Sequence, residues 1–159
     1  MNIYTDGACK ENSRQDGVAE GIGGWAFVIL EKKPGKDSEI VKQGTGRKIG
    51  TTNQEMEINA AAEALSAASN TSESINLYSD SAYVINCLKD RWFDKWIKNG
   101  WLNSKNNPVE NRDSWEKLIN LVNRLNVNPI HVKRNTTKYI RIVDSMAKQA
   151  SKKDTNQEQ

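Results

Sequence analysis

Apolar residues fall into short runs along the chain, and their spacing predicts a mixed α/β order. Three strand-like runs come first, joined by turn-rich stretches; they are predicted at Ile3–Thr5, Trp25–Leu30 and Glu39–Ile49. Short links between consecutive strands favour an antiparallel three-strand meander. Two later strands, Ile75–Ser79 and Pro129–Lys133, each follow helix-like sequence, which favours parallel crossovers. The pattern therefore predicts a five-stranded mixed sheet flanked by helices.

Helix-like sequence fills the segments between and after the last strands. An alanine-rich helix is predicted over residues 56–68, with Thr52 and Glu55 at capping-box spacing before it. Further helices are predicted from Ser81 through the tryptophan-rich segment 91–101, at Asp113–Leu125 and at Ile140–Ala150. The 159 residues suit one domain at residues 1–150, followed by a frayed polar tail at residues 151–159.

Composition is that of a globular protein and disfavours several kinds of site. Hydrophobic residues make up 36% and charged residues 27% of the chain. No apolar segment approaches the roughly 20 residues that cross a bilayer, so we expect a cytoplasmic protein without membrane association. Cys9 and Cys87 have no C-x-x-C spacing, which argues against a disulfide scaffold or a zinc site. No obligate protein partner is implied, and we expect a monomer.

Charge is divided unevenly between the two halves of the chain. Residues 1–80 carry eight lysines and arginines against twelve acids, a net of −4, and residues 81–159 carry fifteen against eight, a net of +7. A basic half could bind a polyanion, although a solvated basic surface is also common.

Two hexapeptides, N-I-Y-T-D-G at residues 2–7 and N-L-Y-S-D-S at residues 76–81, share one pattern that places an aspartate after a strand. If these strands are parallel neighbours, Asp6 and Asp80 lie side by side at the carboxyl edge of the sheet, where open α/β sheets bind ligands. Adjacent carboxylates repel each other, which raises one pKa or requires a counter-cation, and a hard divalent ion is the usual partner.

Two further acids are predicted to face the same edge. Glu57 lies on the apolar, core-facing side of its helix, where a carboxylate is costly unless it is paired or ligated. Asp144 is predicted to open the last helix, where the helix dipole alone would also favour an acid. Each acid taken singly has a structural explanation of this kind, but four acids facing one core edge indicate a shared site.

Four motifs resemble those of type 1 ribonuclease H: Y-T-D-G-A at 4–8, T-T-N-Q-E-M-E at 51–57, Y-S-D-S-A-Y-V at 78–84 and V-D-S-M-A at 143–147. They occur in the family's order and at compatible spacing. The resemblance implies the ribonuclease H-like fold and a catalytic site in which two Mg²⁺ ions, with Mn²⁺ as a possible substitute, are held by Asp6, Glu57, Asp80 and Asp144. It also implies sequence-nonspecific, two-metal-ion cleavage of the RNA strand of RNA–DNA hybrids, leaving 5′-phosphate and 3′-hydroxyl ends.

The resemblance also implies residues that would contact the hybrid. Asn12, Thr52 and Asn53 are candidates for backbone or phosphate contacts, although capping alone would explain Thr52. Segment 91–101 resembles the family's basic protrusion. Its candidate phosphate contacts are Arg91, Lys95 and Lys98, joined by Lys105 beyond the segment.

Two tryptophans of that segment have two explanations. Trp92 is a candidate substrate contact, but Trp92 and Trp96, at i and i+4, are also expected as anchors that fix the protrusion to the core.

Two features depart from the family pattern. The only histidine, His131, occupies a strand position and is interpreted as structural. Bacterial members often carry a mobile histidine in the loop after V-K, where this chain reads R-N-T-T-K with Asn135 nearest, and asparagine cannot titrate near neutral pH. Asn135 therefore remains a substrate-site candidate only. The polar connection at residues 10–24 is longer than usual and is interpreted as a surface insertion.

Two alternatives compete with this hypothesis. One is a related nuclease or strand-transfer domain that uses the same acidic fold, which the tryptophan-rich protrusion and the absence of added domains disfavour. The other is a catalytically weak or silent hybrid-binding module, which would be attractive if one of the four acids were missing.

Overall fold

The computed structural model describes residues 1–10 and 21–152 and contains a five-stranded sheet packed against helices. The strands are β1 (Asn2–Lys10), β2 (Gly21–Lys32), β3 (Ser38–Thr51), β4 (Ile75–Ser79) and β5 (Val127–His131). The helices are α1 (Asn53–Ala67), α2 (Ala82–Lys89), α3 (Trp92–Asn99), α4 (Arg112–Arg124) and α5 (Lys138–Lys152). Strand order is β3-β2-β1-β4-β5; the first three strands pair antiparallel, and β4 pairs parallel with β1 and β5. The predicted mixed sheet is confirmed.

The sheet is buried on both faces in its central part. Phe27 and Ile29 of β2 lie in the larger hydrophobic cluster, which includes residues of α1, α2 and α4. Ala26 and Val28, which alternate with them, lie in a second cluster with the apolar residues of α5. Because successive side chains of a strand point to opposite faces, burial on both faces explains why β2 is a continuous apolar run.

β1 and β2 are longer than the sequence pattern predicts. β1 continues through Asp6 to Lys10, where it still pairs with β2, so residue 10 and residues 21–24 belong to strands and not to the predicted connection. Glycines in this part of β2 let the helices pack closely on it, because a Cβ at Gly23 would lie 2.5 Å from a Met56 side-chain carbon and one at Gly24 would collide with a backbone oxygen of α5. The remainder of the connection, with Asn12, lies outside the described residues.

α5 also differs from its predicted bounds. It begins at Lys138, so Asp144 is its seventh residue and not a first-turn acid. The helix-dipole explanation for Asp144 is therefore wrong, since that effect falls off within the first turn. At the other end, residues 151 and 152, predicted to be part of a frayed tail, are helical, and residues 153–159 lie outside the described part. Within residues 1–10 and 21–152, no helix is both long and apolar enough to cross a membrane.

Candidate active site

The parallel pairing of β1 with β4 brings the two hexapeptides of the sequence together in register. Asn2 pairs with Asn76 and Tyr4 with Tyr78, after which the pairing ends. Asp6 and Asp80 follow the last pair by two residues each, where the two strands separate. The carboxyl edge of the sheet therefore holds both aspartates, as the sequence predicts.

Three of the four predicted acids form one compact cluster. Asp6, Glu57 and Asp80 each contribute a carboxylate oxygen, and these oxygens all lie within 4.8 Å of one another. The side chains of Asp6 and Glu57 are almost completely buried, whereas Asp80 is half-buried. Within residues 1–10 and 21–152, no lysine or arginine forms an ion pair with any of the three. The described residues therefore provide this cluster with no ion-paired counter-charge.

Local structure at the start of α1 places Glu57 in this cluster. The Thr52 hydroxyl accepts a hydrogen bond from the Glu55 amide at 3.2 Å and caps the helix, as the sequence predicts. The first turns of α1 then pack directly on β1, because a Cβ at Gly7 would lie 2.5 Å from the Glu57 nitrogen. The Gly7 amide donates to Glu57 Oε1 at 2.8 Å, and the Ser79 hydroxyl donates to Oε2 at 3.4 Å. The carboxylate is thus oriented from both central strands.

Burial changes the proton affinity of this pair. Burial, reinforced by the charges of Glu57 and Asp80, raises the pKa of Asp6 far above its ordinary value. Burial also raises the pKa of Glu57, to about 7, although hydrogen bonds from Asp6, Gly7 and Ser79 oppose the change. Without a cation, the two carboxyls therefore retain a proton between them at neutral pH. An oxygen-rich, negatively charged cluster of this kind fits a hard divalent cation such as Mg²⁺, which would displace that proton.

Asp144 lies at the side of this cluster, next to Asp6, and has a different environment. Its Oδ2 is 3.0 Å from Nζ of Lys148, and its Oδ1 is 3.9 Å from Nη2 of Arg134. Burial tends to raise the pKa of Asp144, but Lys148, Asp6 and Arg134 together outweigh it and lower that pKa below its ordinary value. The four acids therefore converge, but among the described residues Asp144 is ion-paired and the other three are not.

An open pocket of about 660 Å³ contains all four acids. Four cationic residues also line it: Lys10, Arg134, Lys148 and Lys152. None of these four cations was predicted as a site residue from the sequence. The i,i+4 spacing of Asp144 and Lys148 on one helix was the signal that could have identified Lys148 as the partner of Asp144. Arg134 lies in the loop between β5 and α5, and its approach to Asp144 depends on the packing of α5 against β1 and β2.

The predicted substrate contacts are distributed unequally around this pocket. Asn53 is exposed and lines it, and Thr52 is half-buried as the helix cap. Asn135 is exposed in a left-handed backbone conformation, with its carbonyl oxygen accepting a hydrogen bond from Arg141, and it is not one of the described residues that line the pocket. The lone His131 lies at the end of β5, with Nε2 3.3 Å from the Asp80 carbonyl oxygen.

The predicted basic protrusion, residues 91–101, contains α3 and leads into a hairpin loop that a bridge between Leu102 and Pro108 closes. Arg91 is paired with Asp94 at 2.9 Å, which reduces the positive charge it presents, whereas Lys95 and Lys98 are exposed. A second open pocket, of about 810 Å³, includes Arg91 and Lys95 in its lining. Lys105, also exposed, is at the tip of the hairpin, where its amide donates to the Asn103 side chain at 2.9 Å.

The two tryptophans of α3, Trp92 and Trp96, differ in burial. Trp96 is 8% exposed and packs against Trp101 and Trp115, so it anchors α3 to the core. Trp92 is 36% exposed, contacts Tyr83 edge to face, and lines the second pocket. The prediction of an anchor is therefore confirmed for Trp96. It is wrong for Trp92, which is not buried.

Known proteins resemble this chain over nearly its whole length. The RNase H family model matches residues 1–152. A ribonuclease H of Thermoanaerobacter sp. (strain X514) is 42% identical over 158 residues, covering 99% of this chain and 93% of the relative. A ribonuclease H of Clostridium botulinum (strain Hall) is 38% identical over 149 residues, covering 93% of each protein.

Solved structures with the same fold include ribonuclease H proteins. LC9-RNase H1, a type 1 RNase H, superposes with a TM-score of 0.78 at 23% identity, covering 94% of this chain and 71% of that one. LC11-RNase H1 in complex with an RNA/DNA hybrid has a TM-score of 0.65 at 18% identity, covering 94% of both chains. Similarity to these two structures establishes the fold alone, because both are less than 25% identical to this chain. The family model and the curated relatives establish the family. The chain belongs to the ribonuclease H family of enzymes.

Proposed function

We propose that this protein is an endoribonuclease that hydrolyses the RNA strand of RNA–DNA hybrids without sequence specificity. Family membership supports the substrate class, and the solved LC11-RNase H1 complex contains such a hybrid. The observation that carries the proposal is the convergence of the Asp6, Glu57 and Asp80 oxygens within 4.8 Å, with no ion pair to a lysine or arginine of the described part of the chain. Such a cluster is costly for folding, and hydrolytic chemistry supplies a reason for it.

The four acids would hold two divalent cations, Mg²⁺ or, as a substitute, Mn²⁺. When bound, these ions would activate the attacking water and stabilise the leaving oxygen, which gives 5′-phosphate and 3′-hydroxyl ends. The protein's own contribution is to fix the oxygens before the substrate arrives. Asp6 lies within β1, and Glu57 is held by hydrogen bonds from Gly7 and Ser79, so little reorganisation is needed.

Hybrid binding would use surfaces on both sides of the acids. Asn53, at the start of α1, lies at the pocket and is placed to contact backbone or phosphate. Lys95 and Lys98, with Lys105 of the hairpin, present charge for the phosphates of one strand. Selection of RNA would come from contacts to 2′-hydroxyl groups across the minor groove, which distinguish RNA from DNA without reading sequence.

Cleavage assays on four labelled nucleic acids test this proposal. An RNA–DNA hybrid, duplex RNA, duplex DNA and single-stranded RNA are each incubated with Mg²⁺ or with EDTA. We expect cleavage of the RNA strand of the hybrid only, and none in EDTA. Asp80→Asn should abolish cleavage while hybrid binding is retained, because the substitution removes one ligand charge without removing a phosphate contact. Asp37→Asn, in the exposed β2–β3 turn, is a control with the same charge change.

Other results would favour the alternatives. Hybrid binding without cleavage under all metal conditions would indicate a silent hybrid-binding module. Cutting of duplex DNA at a comparable rate would indicate a nuclease of different specificity on the same fold.

A further inference from the structure

The four carboxylates differ in their cationic neighbours. Asp6, Glu57 and Asp80 have no ion-pair partner within residues 1–10 and 21–152, whereas Asp144 has two. Its nearer partner, Lys148, lies 3.0 Å away. Because Asp144 already has the Lys148 ammonium group at this distance, it is not equivalent to the other three acids when a metal ion binds.

Helix geometry makes this ion pair a built-in feature of α5. Residues four apart on a helix lie on the same face, so Asp144 and Lys148 meet without any rearrangement of the backbone. Arg134 approaches the other oxygen of Asp144 at 3.9 Å from the loop after β5. Asp144 is 17% exposed, whereas Lys148 and Arg134 are 50% and 64% exposed. The two cations can therefore move into solvent, but the carboxylate cannot.

We propose that Lys148, assisted by Arg134, is a positioning residue that neutralises Asp144 in the absence of a divalent ion. A divalent ion that binds at Asp144 then has to displace Lys148. This inference rests on the proposed metal dependence of the site. The ion pair with Lys148 lowers the affinity for a divalent ion at the position nearest Asp144, below that of the position formed by Asp6, Glu57 and Asp80. It also leaves a displaced ammonium group at the wall of the pocket where substrate phosphate would lie.

Electrostatics gives the direction and the size of the effect. A unit positive charge about 5 Å from a divalent ion in water-like surroundings weakens binding of that ion by about tenfold. Removing the charge of Lys148 should therefore strengthen the weaker binding step. It should also leave Asp144 without its near partner beside Asp6, which destabilises the protein until a divalent ion binds.

Binding of Mn²⁺ to the substrate-free protein tests the inference without any activity measurement. Free Mn²⁺ is followed by electron paramagnetic resonance for the wild type, Lys148→Gln and Lys148→Arg. Lys138→Gln, which removes the same charge at the far end of α5, is the matched control. We expect two binding steps in the wild type and a weaker step that tightens about tenfold in Lys148→Gln. Lys148→Arg and Lys138→Gln should behave as the wild type does.

Thermal unfolding provides the second measurement. Lys148→Gln should unfold at a lower temperature than the wild type in EDTA, and saturating Mn²⁺ should close this gap, because a ligand that binds only the folded state stabilises it. Equal or weaker Mn²⁺ affinity in Lys148→Gln, with normal binding to the wild type, would overturn this inference alone. Absence of Mn²⁺ binding to the wild type would instead overturn the proposed metal dependence, and this inference with it.

Discussion

The rings of Tyr4 and Tyr78 stack on neighbouring parallel strands, with centroids 4.4 Å apart and planes inclined by 8°. Two positions earlier, the side-chain amide of Asn76 donates to the Asn2 oxygen at 3.0 Å. Side chains at equivalent positions of the repeated hexapeptide therefore contact one another directly. These contacts fix the register that brings Asp6 and Asp80 together two residues further on.

Removing this ring contact should weaken both the fold and the site. For Tyr78→Ala we expect a loss of about 2 kcal/mol in the free energy of unfolding, from lost burial and ring stacking, and reduced cleavage because Asp80 directly follows β4. Urea unfolding and the hybrid assay measure the two effects. Tyr78→Phe keeps the ring and should lose much less, so equal losses in both variants would contradict a role for the stacked rings.

Gly7 is the position where α1 and β1 approach most closely around the acids. In Gly7→Ala the new methyl group would collide with backbone atoms of Met56 and Glu57, which cannot move without displacing α1. We expect a loss of about 1–3 kcal/mol in unfolding free energy and a fall in cleavage larger than the loss of folded protein explains. Gly35→Asn is the control, because Gly35 has open space and a positive φ that asparagine tolerates. Full activity of folded Gly7→Ala would show that the spacing of helix and strand is not critical.

The raised pKa values of Asp6 and Glu57 predict how pH affects the cation-free protein. In the unfolded chain, carboxyl pKa values are about 4. Both carboxyls therefore retain protons in the folded state at pH values where the unfolded chain has already released them. Their contribution to stability is therefore full below about pH 4 and is lost as pH rises towards and beyond the folded pKa of Glu57, about 7. In EDTA, the urea midpoint should fall across this interval, and Mg²⁺ should restore it at the upper end.

Glu57→Gln isolates that contribution. The amide is neutral and retains an oxygen that can accept from Gly7, so the variant should exceed the wild type by on the order of 1 kcal/mol at pH 8 in EDTA, and have no cleavage activity. The advantage should shrink in Mg²⁺. Glu63→Gln, on the same helix but half-buried and paired with Lys117, serves as the control and should change stability little. A wild type that is the more stable protein at pH 8 in EDTA would refute the argument.

The two tryptophans of α3 should separate stability from binding. Trp96→Ala removes a buried ring and should cost about 3–5 kcal/mol in unfolding free energy. Trp92→Ala removes an exposed ring, so stability should change by less than about 1 kcal/mol while hybrid affinity falls by about fivefold. Urea unfolding and fluorescence anisotropy with a labelled hybrid measure these quantities. Unchanged hybrid affinity in Trp92→Ala would remove Trp92 from the substrate contacts.

Several parts of the structure followed from local sequence alone. The order of strands and helices, the mixed sheet and the Thr52 cap were predictable, because propensity, apolar period and capping chemistry act over a few residues. The repeated hexapeptide also predicted that Asp6 and Asp80 would be neighbours, since equal patterns on parallel strands align.

Only the tertiary structure decided the extent of β1, the unequal environments of the acids and the different burial of Trp92 and Trp96. β1 runs past Asp6 because its pairing with β2 continues to Lys10, a length that the local sequence does not set. Asp144 differs from the other acids because α5 packs on β1 and β2, and the loop before α5 brings Arg134, ten residues away, to its carboxylate. The sequence by itself determined which side chains could carry charge to one edge of the sheet. Long-range packing determined which of those charges would be left without a partner, because ion pairing and burial depend on distances that chain spacing does not set.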